Sequence, residues 1–273
     1  MDGIFSYPFV TKNWGSLNLN IFEAAMFHGD TSWNLPNMSS PFNRIYFMMD
    51  GEAYLENEDE KVPLVPGNMY LVPAGCRYSY ICPSTMQKFY VHFVMELLPG
   101  VDLFSRLGRA RELPYQYELL DRILENVGRE SVSGLLYLKA VFAQIVYDFF
   151  EHGTKDSDYL ASFKGFYRQR AVLDYLAANL QAGLRIQDLS AAMDMPVHQL
   201  SRNFRKDTNL GLKEYMSWQL AQRARHLLLH TDMPIYEIAE RLGFSDPYYF
   251  SRFFKKYESL SPREYRKHQH SFV

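Results

Sequence analysis

Residues 200–215 read LSRNFRKDTNLGLKEY and residues 250–265 read FSRFFKKYESLSPREY. Laid over one another without a gap, seven of these sixteen positions are identical. Immediately upstream, IQDLSAAMDM lies over IYEIAERLGF at a shift of 49 rather than 50, so the second copy gains one residue in the turn between. A repeat of this length marks a duplicated supersecondary unit. Each copy predicts a short helix, a tight turn and a second helix. The turns fall at Asp194 and Gly243, residue types that reach left-handed backbone conformations more readily than most. That is the layout of a helix-turn-helix.

In the second helix of the first copy, Val197, Leu200 and Phe204 form one apolar stripe, leaving His198, Ser201, Arg202 and Arg205 on another face. The second copy hides Phe250 and Phe254 and presents Tyr248, Ser251, Arg252 and Lys255. Such a helix fits the major groove of double-stranded DNA, where Arg bonds guanine bidentately and hydroxyls or amides serve other base edges. A helical hairpin with Arg on a solvated face also occurs in proteins that never touch nucleic acid. Charge helps to separate the two readings. Residues 1–164 hold 13 Lys and Arg against 20 Asp and Glu, whereas residues 165–273 hold 16 against 11. The overall charge of −2 therefore conceals an acidic front and a basic back, and only the back suits a polyanion. A TPR-like scaffold fits worse, because a long helix separates the two copies.

At 273 residues and 47% hydrophobic, the chain exceeds what one core usually organises, and two domains are expected. The opening MDGIFSYPFV lacks a basic flank before its short apolar run and does not read as a secretory signal. The longest apolar stretch, LLYLKAVFAQIVYDFF, contains Lys139, Gln144 and Asp148 and is read as too short to cross a bilayer. No membrane association is expected. Cys76 and Cys82 are the only cysteines and match no common zinc spacing, so reduced thiols in a cytoplasmic protein are expected.

From about residue 17 to 98 short apolar runs alternate with turn signals, among them Asp50-Gly51, Pro66-Gly67 and Pro73-Ala74-Gly75. Strands are predicted at Arg44 to Met49, Ala53 to Asn57, Asn68 to Val72, Tyr78 to Ile81 and Lys88 to Met95, forming a barrel or sandwich. After Pro99-Gly100 the pattern turns helical, with helices over Pro114 to Asn126 and Ser131 to Glu151. The polar stretch from Gly153 to Asp158 reads as a linker. Beyond it helices are predicted near 167–181, 186–194, 197–207, 212–230, 235–242, 247–257 and 262–268, with Pro234 and Pro262 at first-turn positions.

RIQDLSAAMDMPVHQLSRNFRKDT, the helix LKEYMSWQLAQRARHLLLHT and then MPIYEIAERLGFSDPYYFSRFFKKYESLSPREYR together resemble the DNA-binding domain of the AraC/XylS transcription regulators over about residues 167–269. One departure is that Glu258 or Ser259 stands where the family usually has Gly, which bears on the turn before Ser261-Pro262. The resemblance implies two helix-turn-helix units in successive major grooves. It places base-facing positions at His198, Gln199, Ser201 and Arg202 in the first unit, and at Pro247, Tyr248, Ser251 and Arg252 in the second. Arg205, Lys206, Lys255 and Lys256 complete the expected DNA-binding set.

At the front, GNMYLVPAGCRY resembles the second motif of the cupins, with Tyr78 where those proteins carry a His. Phe42 to Glu60 holds no histidine where the first motif would carry two. No metal, cofactor or catalytic residue is therefore expected. In AraC-type regulators such a barrel is a sensor, which implies a small-molecule effector such as a sugar. Trp33, Arg44, Tyr46, Tyr78, Tyr90 and His92 are the candidate ligand-binding residues, since aromatic faces with a few polar groups suit a partly polar ligand. Arg44, Tyr46 and Met48 share one strand face and Tyr90 and His92 another, but parity does not say which face is inside, and a plain core role competes for each aromatic. The apolar helix from Leu135 to Phe150 is a candidate homodimer contact, against packing within one subunit.

The expected architecture is thus α+β with two domains. Residues 1–100 form a cupin-like effector-sensing barrel, 101–152 a helical pair, 153–166 a linker, and 167–273 an all-α DNA-binding domain with two helix-turn-helix units. DNA, an effector, a second copy and RNA polymerase are the candidate partners. The rival readings are a regulator whose barrel binds only protein partners, discriminated by a ligand screen, and a metal-free cupin enzyme such as an isomerase, which leaves the basic duplicated half unexplained.

Overall fold

The computed structural model describes residues 17–40, 42–153, 159, 163–258 and 260–269. The chain divides into two compact units, one of Met1–Leu97 and Val101–Ser157, the other of Asp158–Val273 with Leu98–Gly100. The expected linker falls largely outside the described residues.

Among the described residues the first unit is built on ten strands: β1 (Asn18–Gly29), β2 (Leu35–Ser39), β3 (Asn43–Gly51), β4 (Ala53–Glu56), β5 (Lys61–Leu64), β6 (Asn68–Val72), β7 (Arg77–Ile81), β8 (Met86–Leu98), β9 (Val101–Asp102) and β10 (Arg111–Pro114). One antiparallel sheet runs β1-β8-β3-β6-β10 with β9 on β8, and a second runs β2-β7-β4-β5. Alternation on the strands sends Tyr46, Met48, Tyr70, Val72, Met86 and Tyr90 of the first sheet toward Ala53, Leu55, Leu64, Tyr78 and Tyr80 of the second, and these form one buried cluster. The opposite face of the first sheet is buried as well: Ile45, Phe47, Phe89, Val91 and Phe93 are each at most 1% exposed, with Tyr115 edge-on to Phe47 and Phe104 edge-on to Phe93. A sheet covered on both faces reads as near-continuous apolar sequence.

The structure corrects the expectation that the chain turns helical at residue 101. β9 and β10 intervene, and β10 pairs with β6 in antiparallel register, Glu112 opposite Tyr70. The charged run around them masks a strand whose contribution to the sheet is mainly backbone hydrogen bonding. Two helices follow, α1 (Tyr117–Val127) and α2 (Val132–Gly153). α2 buries Phe142, Ile145, Val146 and Phe149 against α1 and β10. By length and composition its segment Val132–His152 is apolar enough to span a bilayer, so the sequence expectation underrated it; interruption by Lys139, Gln144 and Asp148 is outweighed by the apolar residues around them.

The second unit is helical: α3 (Lys164–Arg168), α4 (Arg170–Asn179), α5 (Ile186–Ala192), α6 (Val197–Thr208), α7 (Leu212–His230), α8 (Ile235–Arg241), α9 (Pro247–Glu258) and α10 (Pro262–Gln269). The single helix expected over 167–181 is two helices broken at Gln169, whose buried amide donates to Asp207 Oδ2 at 2.6 Å. α7 runs through the middle of the unit, burying Tyr215, Met216, Leu220, Ala221, Ala224 and Leu228 along its length. Its start packs on the first repeat through Phe204 and Tyr215, with ring centres 5.3 Å apart. Its end is tied to the second by an ion pair between Arg225 and Glu258, both largely buried, and by Arg266 Nε donating to Leu228 O at 3.2 Å.

Candidate nucleic-acid interface and barrel interior

The two turns of the repeat match bond for bond. In the first, the amide of Asp194 donates to Ala191 O and that of Met195 to Ser190 O; 49 residues on, Gly243 donates to Glu240 O and Phe244 to Ala239 O. Asp194 has φ +47° and Gly243 has φ +77°, the left-handed geometry both residue types tolerate. At Gly243 only glycine fits, because a Cβ would lie 2.9 Å from Gln181 Cβ. The copies differ where the second reading helix begins. Asp246 Oδ1 accepts from the Tyr249 amide at 2.7 Å, an N-cap bond, whereas α6 has Pro196 at its N-cap and no side-chain cap bond.

Leu200 and Phe204 on α6, and Phe250 and Phe254 on α9, are at most 1% exposed. This pins the rotation of both helices. His198, Arg202, Arg205 and Lys206 are exposed on α6 with Gln199 and Ser201 half-buried beside them, and Pro247, Tyr248, Arg252, Lys255 and Lys256 are exposed on α9 with Ser251 half-buried. Tyr248 is 80% exposed, and the Ser251 hydroxyl donates to Pro247 O within its own helix. All twelve expected residues thus lie on two equivalent helix faces. Among the described residues neither Arg202 nor Arg252 takes part in an ion pair. Several other arginines are occupied: Arg168 with Asp207, Arg170 with Asp174, Arg185 with Asp188, and Arg223 on the carbonyls of Leu176, Ala177 and Leu180 at the end of α4. Arg202, Arg205 and Lys206 on α6 and Arg252, Lys255 and Lys256 on α9 give both reading helices an exposed basic face. Glu258, where a glycine was expected, ends α9 and pairs with Arg225, while Ser259 lies outside the described residues.

In the first unit, register orders the inward side chains in layers. Glu23, His92 and Arg44 lie opposite one another on β1, β8 and β3; Ala25, Tyr90 and Tyr46 form the next row; Phe27, Lys88 and Met48 the next. Of the expected ligand-binding residues, Trp33, Arg44, Tyr46, Tyr78 and Tyr90 are buried and His92 is nearly so. Strand parity is thereby settled: Arg44, Tyr46, Tyr90 and His92 all point inward. The Tyr78 hydroxyl, at the position where a cupin places a metal-binding His, bonds to Glu60 and accepts from the Ala110 amide. Tyr90 donates to Glu23 Oε1 at 2.8 Å, and His92 Nδ1 lies 2.6 Å from Glu23 Oε2. Burial pulls the His92 imidazole down to about 4, against the opposing pull of Glu23, so it is neutral at neutral pH. Among the described residues no group of three His, Cys, Asp or Glu is placed to hold a metal ion. The sequence reading passed over Lys88, which is 3% exposed and lies inside with its amine over aromatic rings.

A pair of equivalent reading helices held by one long helix, attached to a buried-centre β unit, defines a DNA-binding transcription regulator. Residues 189–268 match the helix-turn-helix domain family. The chain is 27% identical over 236 residues to the Msm operon regulatory protein of Streptococcus mutans, covering 82% of this chain and 83% of that one. It is 26% identical to the arabinose operon regulatory protein of Salmonella typhimurium (79% and 80% covered) and 21% identical to the lactose operon transcription activator of Staphylococcus xylosus (93% and 96%). Among solved structures, ToxT of Vibrio cholerae shares the fold, with a TM-score of 0.53, 14% identity and coverage of 92% of this chain and 98% of that one. The chain is thus similar over about four fifths or more of its length to operon regulators, and residues 189–268 carry a helix-turn-helix domain.

Proposed function

We propose that α6 and α9 read two successive major grooves, and that a small molecule bound inside the β unit controls how they do so. The observation that carries the DNA reading is the equivalence of Arg202 and Arg252: same register in each repeat, both exposed, both clear of ion pairs among the described residues. His198, Gln199, Ser201, Tyr248 and Ser251 flank them as further base-edge groups, with Pro247 as a shape contact. Arg205, Lys206, Lys255 and Lys256 lie in the last turns, placed for phosphates. Replacing Arg202 or Arg252 by Ala should cost about 1–3 kcal/mol at the specific site and relax base preference locally. Lys255→Ala should weaken binding to all sequences alike and lower the salt slope by roughly one. Electrophoretic shift titrations at several salt concentrations distinguish the two; unchanged affinity and preference in both arginine variants would reject the reading role.

The relatives named for arabinose and lactose operons support a sugar-like effector, and the inward Trp33, Arg44, Tyr46, Tyr78, Tyr90 and His92 support its place. The relative named as an activator supports RNA polymerase as a further partner in the cytoplasm. The relatives that span four fifths of both chains are regulators, which disfavours the enzyme reading.

A second copy is the proposed occupant of the outer face of α2. Val132, Leu136 and Tyr147 are 76%, 64% and 55% exposed, and with exposed Ala140 and Ala143 they form a stripe at helical spacing along the 22-residue α2. Such a stripe is self-complementary about a two-fold axis, and the small alanines allow close approach. Leu136→Glu with Tyr147→Glu should convert a dimer to a monomer in sedimentation without loss of folding, because neither side chain is in the core. A wild-type monomer, or a dimer indifferent to both charges, contradicts this.

A further inference from the structure

Among the described residues, the inside of the β unit holds a lysine with no carboxylate paired to it. Lys88 stands on β8 in the row of Phe27 and Met48, its side chain 3% exposed. Its amine lies 3.8 Å from the Tyr46 ring centre, 3.9 Å from that of Trp33 and 5.2 Å from that of Phe27. Among the described residues no carboxylate pairs with it; the ionisable groups that bear on it are Arg44, also cationic, and Cys82. The carboxylates that touch inward side chains are engaged elsewhere, Glu23 by Tyr90 and His92, and Glu60 by Tyr78. Arg44 crosses the same interior, with its guanidinium 5.1 Å from the Tyr80 ring centre on the opposite sheet. The Tyr80 hydroxyl, beside that of Tyr46, is sealed there without a partner at bonding geometry among the described residues.

Ring faces give a buried ammonium only part of what water gave it. Loss of water, and then Arg44, push the Lys88 amine well below the usual lysine range. A bound anion would reverse both effects, since it supplies a countercharge to the amine and accepts hydrogen bonds from it and from the Tyr80 hydroxyl, with the Arg44 guanidinium in the same interior. The four-carbon stem lets the amine swing off the rings toward such a group, and the vacated aromatic faces of Trp33 and Tyr46 then suit the apolar face of a ring.

Resting on the proposal that this unit senses a small molecule, we infer that its effector is an acid: a carboxylate or phosphate on a compact ring scaffold such as a pyranose, with the anionic group held by Lys88 and Arg44. The neutral sugars suggested by the relatives' names would leave the Lys88 amine without a carboxylate or phosphate among the described residues.

The test is calorimetry and thermal shift on the full chain with paired probes: galacturonate against galactose, glucuronate against glucose, and glucose 6-phosphate as the phosphate arm. At least one acid should bind roughly 10-fold or more tighter than its neutral parent, as expected for charge-assisted bonds in a buried site. Lys88→Met, which keeps length and apolar stem, should remain folded by circular dichroism and should bring that preference below about twofold. Lys88→Arg should retain part of it. Acid preference in the carboxylate arm alone, or in the phosphate arm alone, names the anion. Acids that bind no better than their parents, or an unchanged preference in Lys88→Met, overturn the inference. If neutral sugars bind while acids do not, sensing stands and the acid class falls; if none of the probes binds or alters DNA affinity, both fall.

Discussion

About five base pairs inserted between the two sub-sites of the operator should reduce specific affinity by roughly 10²–10⁴-fold, the advantage that two linked reading units hold over one. The expectation comes from α7. Its 19 residues span roughly 28 Å at about 1.5 Å per residue, and the widths of α6 and α9 at its ends bring their separation near the ~34 Å between successive major grooves on one face of DNA. Nothing in the packing lets that spacing relax. Tyr215 at one end sits against Phe204, and Arg225 and Leu228 at the other are tied to Glu258 and Arg266, with Leu220, Ala221 and Ala224 buried between. Half a turn of DNA turns one sub-site to the opposite face, out of reach of the second helix. Adding about ten base pairs restores the face but not the distance, so binding should not return. Full affinity for the half-turn insertion would mean that only one unit reads sequence.

Gly165→Ala should destabilise the second unit by about 3 kcal/mol or more, the upper range for overpacking a rigid contact. Helix propensity alone predicts the opposite sign, a gain of about 1 kcal/mol for Ala over Gly inside a helix. The reason geometry wins is that α3 crosses the last turn of α6 at this glycine. A Cβ there would lie 1.5 Å from the Asp207 carbonyl oxygen and 2.5 Å from its carbon, both backbone atoms. The same turn is clamped by Arg168 and Gln169 on the Asp207 carboxylate, at 2.7 and 2.6 Å. To admit the methyl group, α3 must lift off and break both bonds, and the first reading helix loses its support. Urea denaturation followed by circular dichroism measures the change, and a stabilised variant would show that α3 does not pack as described.

The duplicated half of this fold was readable because its signals are local. Helical period, the left-handed turns at Asp194 and Gly243, and arginines at matched register are written within 25 residues of one another in each copy, and from Ile186 onward helix boundaries moved by one or two residues at most between expectation and structure. The break at Gln169 was not readable, because it depends on Asp207, 38 residues away. The β unit was legible in outline only. A sheet buried on both faces gives no alternation, so Ile45 and Phe47 look as inward as Tyr46. β10 is charged and short, and only its pairing with β6 reveals it. Lys88 shows the same limit most sharply. Tyr90 and His92 were placed on a common face, and Lys88 two residues earlier must share it, yet a lysine in a strand is expected at the rim. That its amine ends among Trp33, Tyr46 and Phe27 follows from the return of β1 and the turn at Thr31–Trp33, which period does not encode.

The measurement closest to the central claim is a hydroxyl-radical footprint of the purified chain on a selected high-affinity site. Two protected patches should appear on one face of the DNA, about one helical turn apart, with Arg202→Ala weakening one and Arg252→Ala the other. A single patch, or two patches that both variants weaken equally, would contradict the assignment of one major groove to each reading helix.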